Sequence, residues 1–280
     1  MRQLLVSLAM MTTLAQQPQN PSPMVEHIRS HPRLSEQPPA GRREPLELGT
    51  LFLAAGLKLK PGMPLLVHLH GAPRIAEAAA ARNRMAAIAI QIGAGSAVYA
   101  RPFTDPLLFG RLLEEAERKA GAGFGPVTLT SWSAGYGAVR EILKQSRYYD
   151  RVLRVILIDG LHAGYTGGKP GPLESSLETE NLAVFVQYAR DAALGRKQMI
   201  VTHSEIFPGT YASTTETAEY LLRELGLARR PTLKWGPMAM QQLGEARRGG
   251  FRLLSYAGNS APDHVDQLHA LPELLRMFPD

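Results

Sequence analysis

The sequence predicts an α/β fold, a mostly parallel sheet with helices on both faces. Three observations carry this. Short runs rich in apolar and β-branched residues recur at 64–70, 86–92, 127–132, 151–159, 198–205 and 251–257, each of strand length. Stretches with helical spacing lie between them, at 75–85, 105–119, 138–144 and 214–225. Strands that alternate with helices are joined by crossovers, which pair the strands in parallel and cover both faces.

At 280 residues the chain is long enough to bury a full core and ordinary for one α/β domain with a leader. With 45% hydrophobic and 20% charged residues the composition is that of a globular protein. No apolar run is long enough to span a bilayer. The formal charge of +6 comes from scattered residues in short pairs, Arg42-Arg43, Arg229-Arg230 and Arg247-Arg248. There is no basic helix with interleaved aromatics, so the pattern reads as a cationic surface and not as a nucleic-acid site. The lack of cysteine excludes disulfides, thiolate catalysis and Cys-ligated metals.

Residues 1–15 run from the charged Met1-Arg2 through an apolar stretch to Leu14-Ala15, the three regions of a secretory signal in order. A secreted or periplasmic location is therefore expected. Residues 16–44 are rich in Pro, Gln, Ser and Arg, which suits a linker. Folded structure is expected from Pro45 to the C-terminus.

Strands at 48–54 and 64–70 flank a turn at 58–62, and the second ends in His70-Gly71-Ala72-Pro73. A helix over 75–85 leads to the buried strand 86–92. Gly93-Ala94-Gly95-Ser96 reads as a turn, since neither a P-loop lysine nor a dinucleotide pattern surrounds it. Asp105-Pro106 opens a helix to Lys119 with Leu108, Leu112 and Ala116 on one face. The strand 151–159 ends in Asp159-Gly160, and the segment 178–194 reads as a helix able to cover a site as a lid. The strand 198–205 ends in Glu205. After the helix 214–225, residues 229–250 read as an irregular basic segment, helical near 238–245. The last strand, 251–257, precedes a loop with His264 and an apolar terminal helix containing His269.

Ser131-Trp132-Ser133-Ala134-Gly135 falls where the strand 127–132 meets the helix 138–144. A serine raised on such a strand-to-helix turn is an exposed nucleophile, and the close approach of strand and helix demands small residues two before and two after it. Ser131 and Gly135 are small, although Ser131 stands where the G-x-S-x-G pattern has glycine. A second reading makes Ser131 and Ser133 helix caps. In the first reading the Ala134 N–H, at the helix start, faces a developing oxyanion. Asp159 and Glu205, each at a strand end, are the carboxylates available to orient a base, with turn capping the other role of Asp159. His264, in the loop after the last strand, is the base, and His269 lies deeper in its helix. Trp132 and Tyr165 are read as substrate contacts, while Tyr99, Phe103 and Tyr136 are read as packing. His68 and His70, two apart on one strand, are expected to face the same side at the spacing of paired metal ligands, but no aspartate or third histidine follows them.

The order of His70-Gly71-Ala72, the serine turn, acidic strand ends and a late histidine resembles the α/β-hydrolase superfamily, over about Pro45 to the C-terminus. The resemblance implies a serine esterase acting through an acyl-enzyme on a small or polymeric ester, with no cofactor or metal. It implies Ser133, His264 and Asp159 as the triad and the Ala72 and Ala134 N–H groups as oxyanion donors. Because the acid more usually follows the next strand, Glu205 stays open as the alternative to Asp159. An amidase or peptidase on the same triad, a metal-dependent hydrolase on His68 and His70, and a non-catalytic binding protein of the same fold are the other readings. The sequence sets no oligomeric state.

Overall fold

The structure, a computed structural model, describes residues 33–168 and 176–278. The expected signal, residues 16–32 of the expected linker and residues 169–175 lie outside the described residues.

Antiparallel β1 (Gly41–Pro45) and β2 (Thr50–Ala54) lead into β3 (Met63–Leu69), α1 (Pro73–Asn83) and β4 (Ala86–Ile90). Then come α2 (Ser96–Ala100), α3 (Leu108–Ala120), β5 (Phe124–Trp132), α4 (Tyr136–Leu143), α5 (Ser146–Arg151) and β6 (Val152–Ile158). The second half holds α6 (Ala183–Ala193), β7 (Gln198–His203), α7 (Thr214–Leu225), β8 (Arg230–Trp235), β9 (Gln241–Arg248), β10 (Phe251–Tyr256), α8 (Ala261–His269) and α9 (Leu271–Leu275). Among the described residues these strands form one sheet of ten in the order β1-β2-β4-β3-β5-β6-β7-β10-β9-β8. Its six central strands, from β4 to β10, are parallel, and antiparallel strands close both edges.

Alternation along the strands divides the core into two layers. Leu65, Val67 and Leu69 of β3, with Val155 and Leu157 of β6, face α3, α4, α6 and α7. Leu66, Ile156, Ile158 and Ile200 face α1, α8 and α9. The fold is the α/β-hydrolase type of mostly parallel sheet, with helices on both faces and a serine at the end of a central strand.

Three expectations need correction. Strand β1 takes up Gly41–Glu44 of the expected linker. The guanidinium of Arg43 lies 4.9 Å over the Phe52 ring and pairs with buried Glu77 through bonds of 2.8 and 2.6 Å, contacts that carry no apolar periodicity. Residues 229–250 form the β8–β9 hairpin, with a short 3-10 turn at Pro237–Ala239 where helix was expected. In β9 the inward positions are Gln242, Gly244 and Ala246, so a period of two runs there without large apolar residues to mark it. Finally, α6 is not a lid. Phe185, Val186, Tyr188, Ala189 and Ala192 are buried in the core, and the Tyr188 hydroxyl donates to the Val152 carbonyl at 3.0 Å.

Three histidines sit in the body of the fold. His68 on β3 and His203 on β7 are buried, and burial lowers their pKa to about 3 and about 4. His269, buried under the first described residues, accepts the Leu34 N–H on Nδ1 at 3.0 Å, and burial lowers its pKa to about 4. Each is neutral in the folded state near pH 6, while an unfolded histidine protonates below about 6.5. The unfolded chain therefore binds more protons as pH falls from about 6.5 toward 4. The stability these groups contribute is complete above that window and is lost within it, at up to about 1.4 kcal/mol per pH unit for each histidine. Urea midpoints at pH 7.5, 6.0 and 5.0 should fall in that order; a flat midpoint would remove the buried neutral histidines as the cause.

Candidate active site

The site is built where the parallel strands end. Ser131 of β5 stands level with Leu69 of β3 and Leu157 of β6, so the turn after Trp132 lies between two neighbouring strand ends, where open α/β sheets bind ligands. Ser133 has φ 47°, in the left-handed region that costs a non-glycine residue about 1–3 kcal/mol. Packing enforces it from two sides. A Cβ at Gly135 would collide with the Leu69 carbonyl and come 3.0 Å from the Ser131 Cβ. A Cβ at Gly160 would fall 2.8 Å from the Ser133 Cα. Both positions must be glycine for the strand, turn and helix to close on Ser133.

Asp159, at the exit of β6, is also left-handed, with φ 42°, and its side chain is buried. Its Oδ1 accepts the Ser204 N–H at 2.8 Å and the Thr214 hydroxyl at 2.9 Å. Its Oδ2 accepts the Ser204 hydroxyl at 2.8 Å and lies 2.7 Å from His264 Nδ1. Burial pushes the carboxyl pKa up, but the bonds from His264 and Ser204 outweigh it and hold the group below its ordinary value. Asp159 is therefore ionised at neutral pH, and an ionised carboxylate only accepts, which puts a proton on His264 Nδ1.

His264 is carried by the first turn of α8, which starts with a Ser260–Asp263 capping box. The Trp132 indole N–H donates to the His264 carbonyl at 3.0 Å, and the indole lies 4.5 Å from the imidazole between ring centres. On another side the indole stacks on His70, 5.1 Å away and 14° from parallel. Trp132 thus braces the histidine that Asp159 orients, and Ser133 is the next residue in the chain. Among the described residues no hydrogen bond is closed between Ser133 and His264.

Ser133 opens on a cavity of about 480 Å³ lined by His70, Ala94, Gly95, Ser96, Ala134, Tyr136, His162, Ala163, Gly164 and Tyr211. Ala134 begins the short turn into α4 and belongs to this lining. Ala72, at the N-cap of α1, is exposed and stands outside it. The N–H groups of His70 and Gly71 already donate, to the Ile90 carbonyl at 3.0 Å and to Gln91 Oε1 at 2.7 Å. The Ala72 N–H has no acceptor among the described residues.

The other expected residues lie elsewhere. Tyr165 is buried and donates to Glu216 at 2.8 Å, so it packs in the core and does not line the cavity. Glu205 is exposed and away from His264, because after β7 it is Ser204 that turns toward Asp159. His269 faces Leu34. His68 and His70 do not share a side. The left-handed backbone of His70, φ 70°, swings its ring to Tyr99, with Nδ1 2.9 Å from the hydroxyl, while His68 Nδ1 meets Thr130 Oγ1 at 2.8 Å. Among the described residues no three His, Asp or Glu side chains gather as metal ligands.

Several site residues escaped the sequence reading. Gly93-Ala94-Gly95-Ser96 reads as turn chemistry, yet Ala94, Gly95 and Ser96 form one wall of the cavity. Ser204, Thr214, His162 and Tyr211 reach the site from loops and a helix start far along the chain. His162 had a signal, a histidine three residues after a strand-end aspartate; Ser204 and Thr214 had none.

No protein-family model matches the sequence, and no curated protein does. Among solved structures, the chain is similar to a soluble variant of a Saccharomyces cerevisiae monoglyceride lipase in complex with a substrate analogue, at 9% identity, over 89% of this chain and 100% of that one, with a TM-score of 0.43. It is similar to an acetyl xylan esterase from Aspergillus awamori, at 12% identity, over 79% and 93% of the two chains, TM-score 0.43. A zinc-bound cold-adapted esterase from an Arctic intertidal metagenomic library is similar at 13% identity, over 85% and 93%, TM-score 0.45. These are likenesses of chain course, and the chemistry below rests on the residues of the site.

Ser131 offers a test of the packing. Its hydroxyl is fully buried without a hydrogen-bond partner, which costs about 1–3 kcal/mol. Ser131→Ala keeps the Cβ that already fits against Gly135 and removes the orphaned oxygen. Its urea midpoint should rise, by about 1 kcal/mol in stability; an unchanged or lower midpoint would mean the hydroxyl finds a partner in solution.

Proposed function

We propose that the chain is a serine hydrolase that cleaves carboxylic esters through an acyl-enzyme. One observation carries this reading: a serine on an enforced left-handed turn follows directly on the indole that braces a histidine, and that histidine is bonded through Nδ1 to a buried, ionised aspartate. In the proposed reaction His264 Nε2 accepts the proton of the Ser133 hydroxyl as the oxygen attacks the ester carbonyl. The tetrahedral oxyanion is met by the Ala134 N–H at the start of the helix. His264 then returns the proton to the leaving alcohol, and water repeats the sequence on the acyl-enzyme. Asp159 holds the imidazole in the tautomer that makes Nε2 the acceptor and stabilises the imidazolium.

Trp132 has a part in this scheme. Its ring lies against the imidazole that becomes cationic, and a cation over an indole face gains about 0.5–2 kcal/mol. Secretion or periplasmic location, from the sequence of residues 1–15, belongs to the same proposal.

Intact-mass measurement after treatment with a fluorophosphonate should show one adduct, absent in Ser133→Ala; a well-folded wild type that takes up none would leave the turn structural. Asp159→Asn should label and turn over more slowly by roughly 10³- to 10⁴-fold, because the amide can hold the wrong tautomer; near-normal turnover would pass the role to another carboxylate. Trp132→Leu should lower kcat by roughly two- to thirtyfold at unchanged fold, with Trp132→Phe milder. Equal losses in the two variants would assign Trp132 a purely structural part.

A further inference from the structure

Among the described residues no charged side chain lines the cavity beside Ser133: its polar lining consists of His70, Ser96, Ser133, Tyr136, His162 and Tyr211. His162 stands out there because the catalytic scheme does not use it. Its Nδ1 lies 2.9 Å from the Ala212 carbonyl, which can only accept, so Nδ1 carries a proton. Burial lowers its pKa, so the ring is neutral near pH 7 and Nε2 keeps a lone pair. The ring is fixed by edge contacts with Tyr136 at 5.9 Å and Tyr211 at 4.9 Å between centres. A neutral acceptor thus stands in the same cavity as the serine.

We infer that His162 is a specificity residue whose Nε2 accepts a hydrogen bond from a hydroxyl of the substrate, and that the preferred substrates are uncharged esters of polyhydroxylated alcohols. This rests on the reading of Ser133 as the esterase nucleophile. A donor is required because an acceptor on the substrate would face the lone pair unpaired. A neutral group is favoured because no described side chain lining the cavity carries a charge that would compensate a buried one. The alcohol is favoured as the bearer of the hydroxyl because the rings of Tyr136 and Tyr211, which line the cavity, supply apolar surface for the C–H groups of a polyol. The cavity, about 480 Å³, has room for one such unit, while Ala94, Ala134, Ala163, Gly95 and Gly164 keep its walls close to the serine.

The test compares glycerol monoacetate with propyl acetate, esters of the same acid that differ in two hydroxyls, on wild type, His162→Phe and His162→Gln. Wild type should prefer the glycerol ester by tenfold or more in kcat/KM, the worth of one or two hydrogen bonds. His162→Phe should bring that ratio close to one, the loss falling on the glycerol ester more than on propyl acetate. His162→Gln, whose amide oxygen can accept, should recover part of the preference. A wild-type ratio near one overturns the inference even if both variants fail to fold, and so does a ratio that survives in His162→Phe. Labelling of Ser133 by a fluorophosphonate separates the two levels: a labelled enzyme with no preference loses only the role of His162, whereas an unlabelled one loses the esterase reading and this inference together.

Discussion

The left-handed backbone of Ser133 is the constraint on which the rest of the site depends. A serine in that conformation is unstable alone, and two close approaches hold it there. Gly135 lets the start of α4 press on the end of β3, and Gly160 lets the exit of β6 press on the Ser133 backbone. Three neighbouring elements, β3, β5 and β6, therefore have to be in register before the serine is raised. Their pairing is parallel and, after one irregularity at the start of each ladder, runs unbroken to the turn. Local strain is offset by the packing of the sheet's centre, where β3, β5 and β6 are buried.

The second dependence is electrostatic. Asp159 is buried and charged, a combination that is costly unless every oxygen is satisfied. The main-chain N–H of Ser204, the hydroxyls of Ser204 and Thr214, and the imidazole of His264 supply that satisfaction. These donors come from the end of β7, the start of α7 and the start of α8. The same carboxylate that orients His264 thus ties three separate segments to the strand ends, so the site is stiff because it is polar and dry at once.

Neutrality governs the space in front of the serine. The histidines near it are kept uncharged by burial in the case of His70 and His162, and among the described residues no Asp, Glu, Lys or Arg lines the cavity. Asp159 is held in its cage of donors.

Much of this was legible in the chain itself. The alternation of apolar runs and helical stretches determines an α/β sheet, because each strand in a parallel sheet must be apolar on both faces and each crossover must carry an apolar stripe. Ser133 announced itself by the small residues around it, Asp159 by its place at a strand end, and His264 by its place after the last strand. What the sequence could not hold was distance between remote segments. Asp159 and Glu205 are equivalent strand-end carboxylates on paper; only the tertiary structure brings one to His264 and leaves the other in solvent. The same limit explains Tyr165, aromatic and near a strand end yet turned into the core, and the helix of residues 183–193, amphipathic like a lid yet packed on the sheet. It also explains His70, whose strand parity matches His68 until a single left-handed φ sends it to the other face. Periodicity is a local property and decides which side of its own element a residue occupies, whereas the partners it meets there are set by how the elements cross.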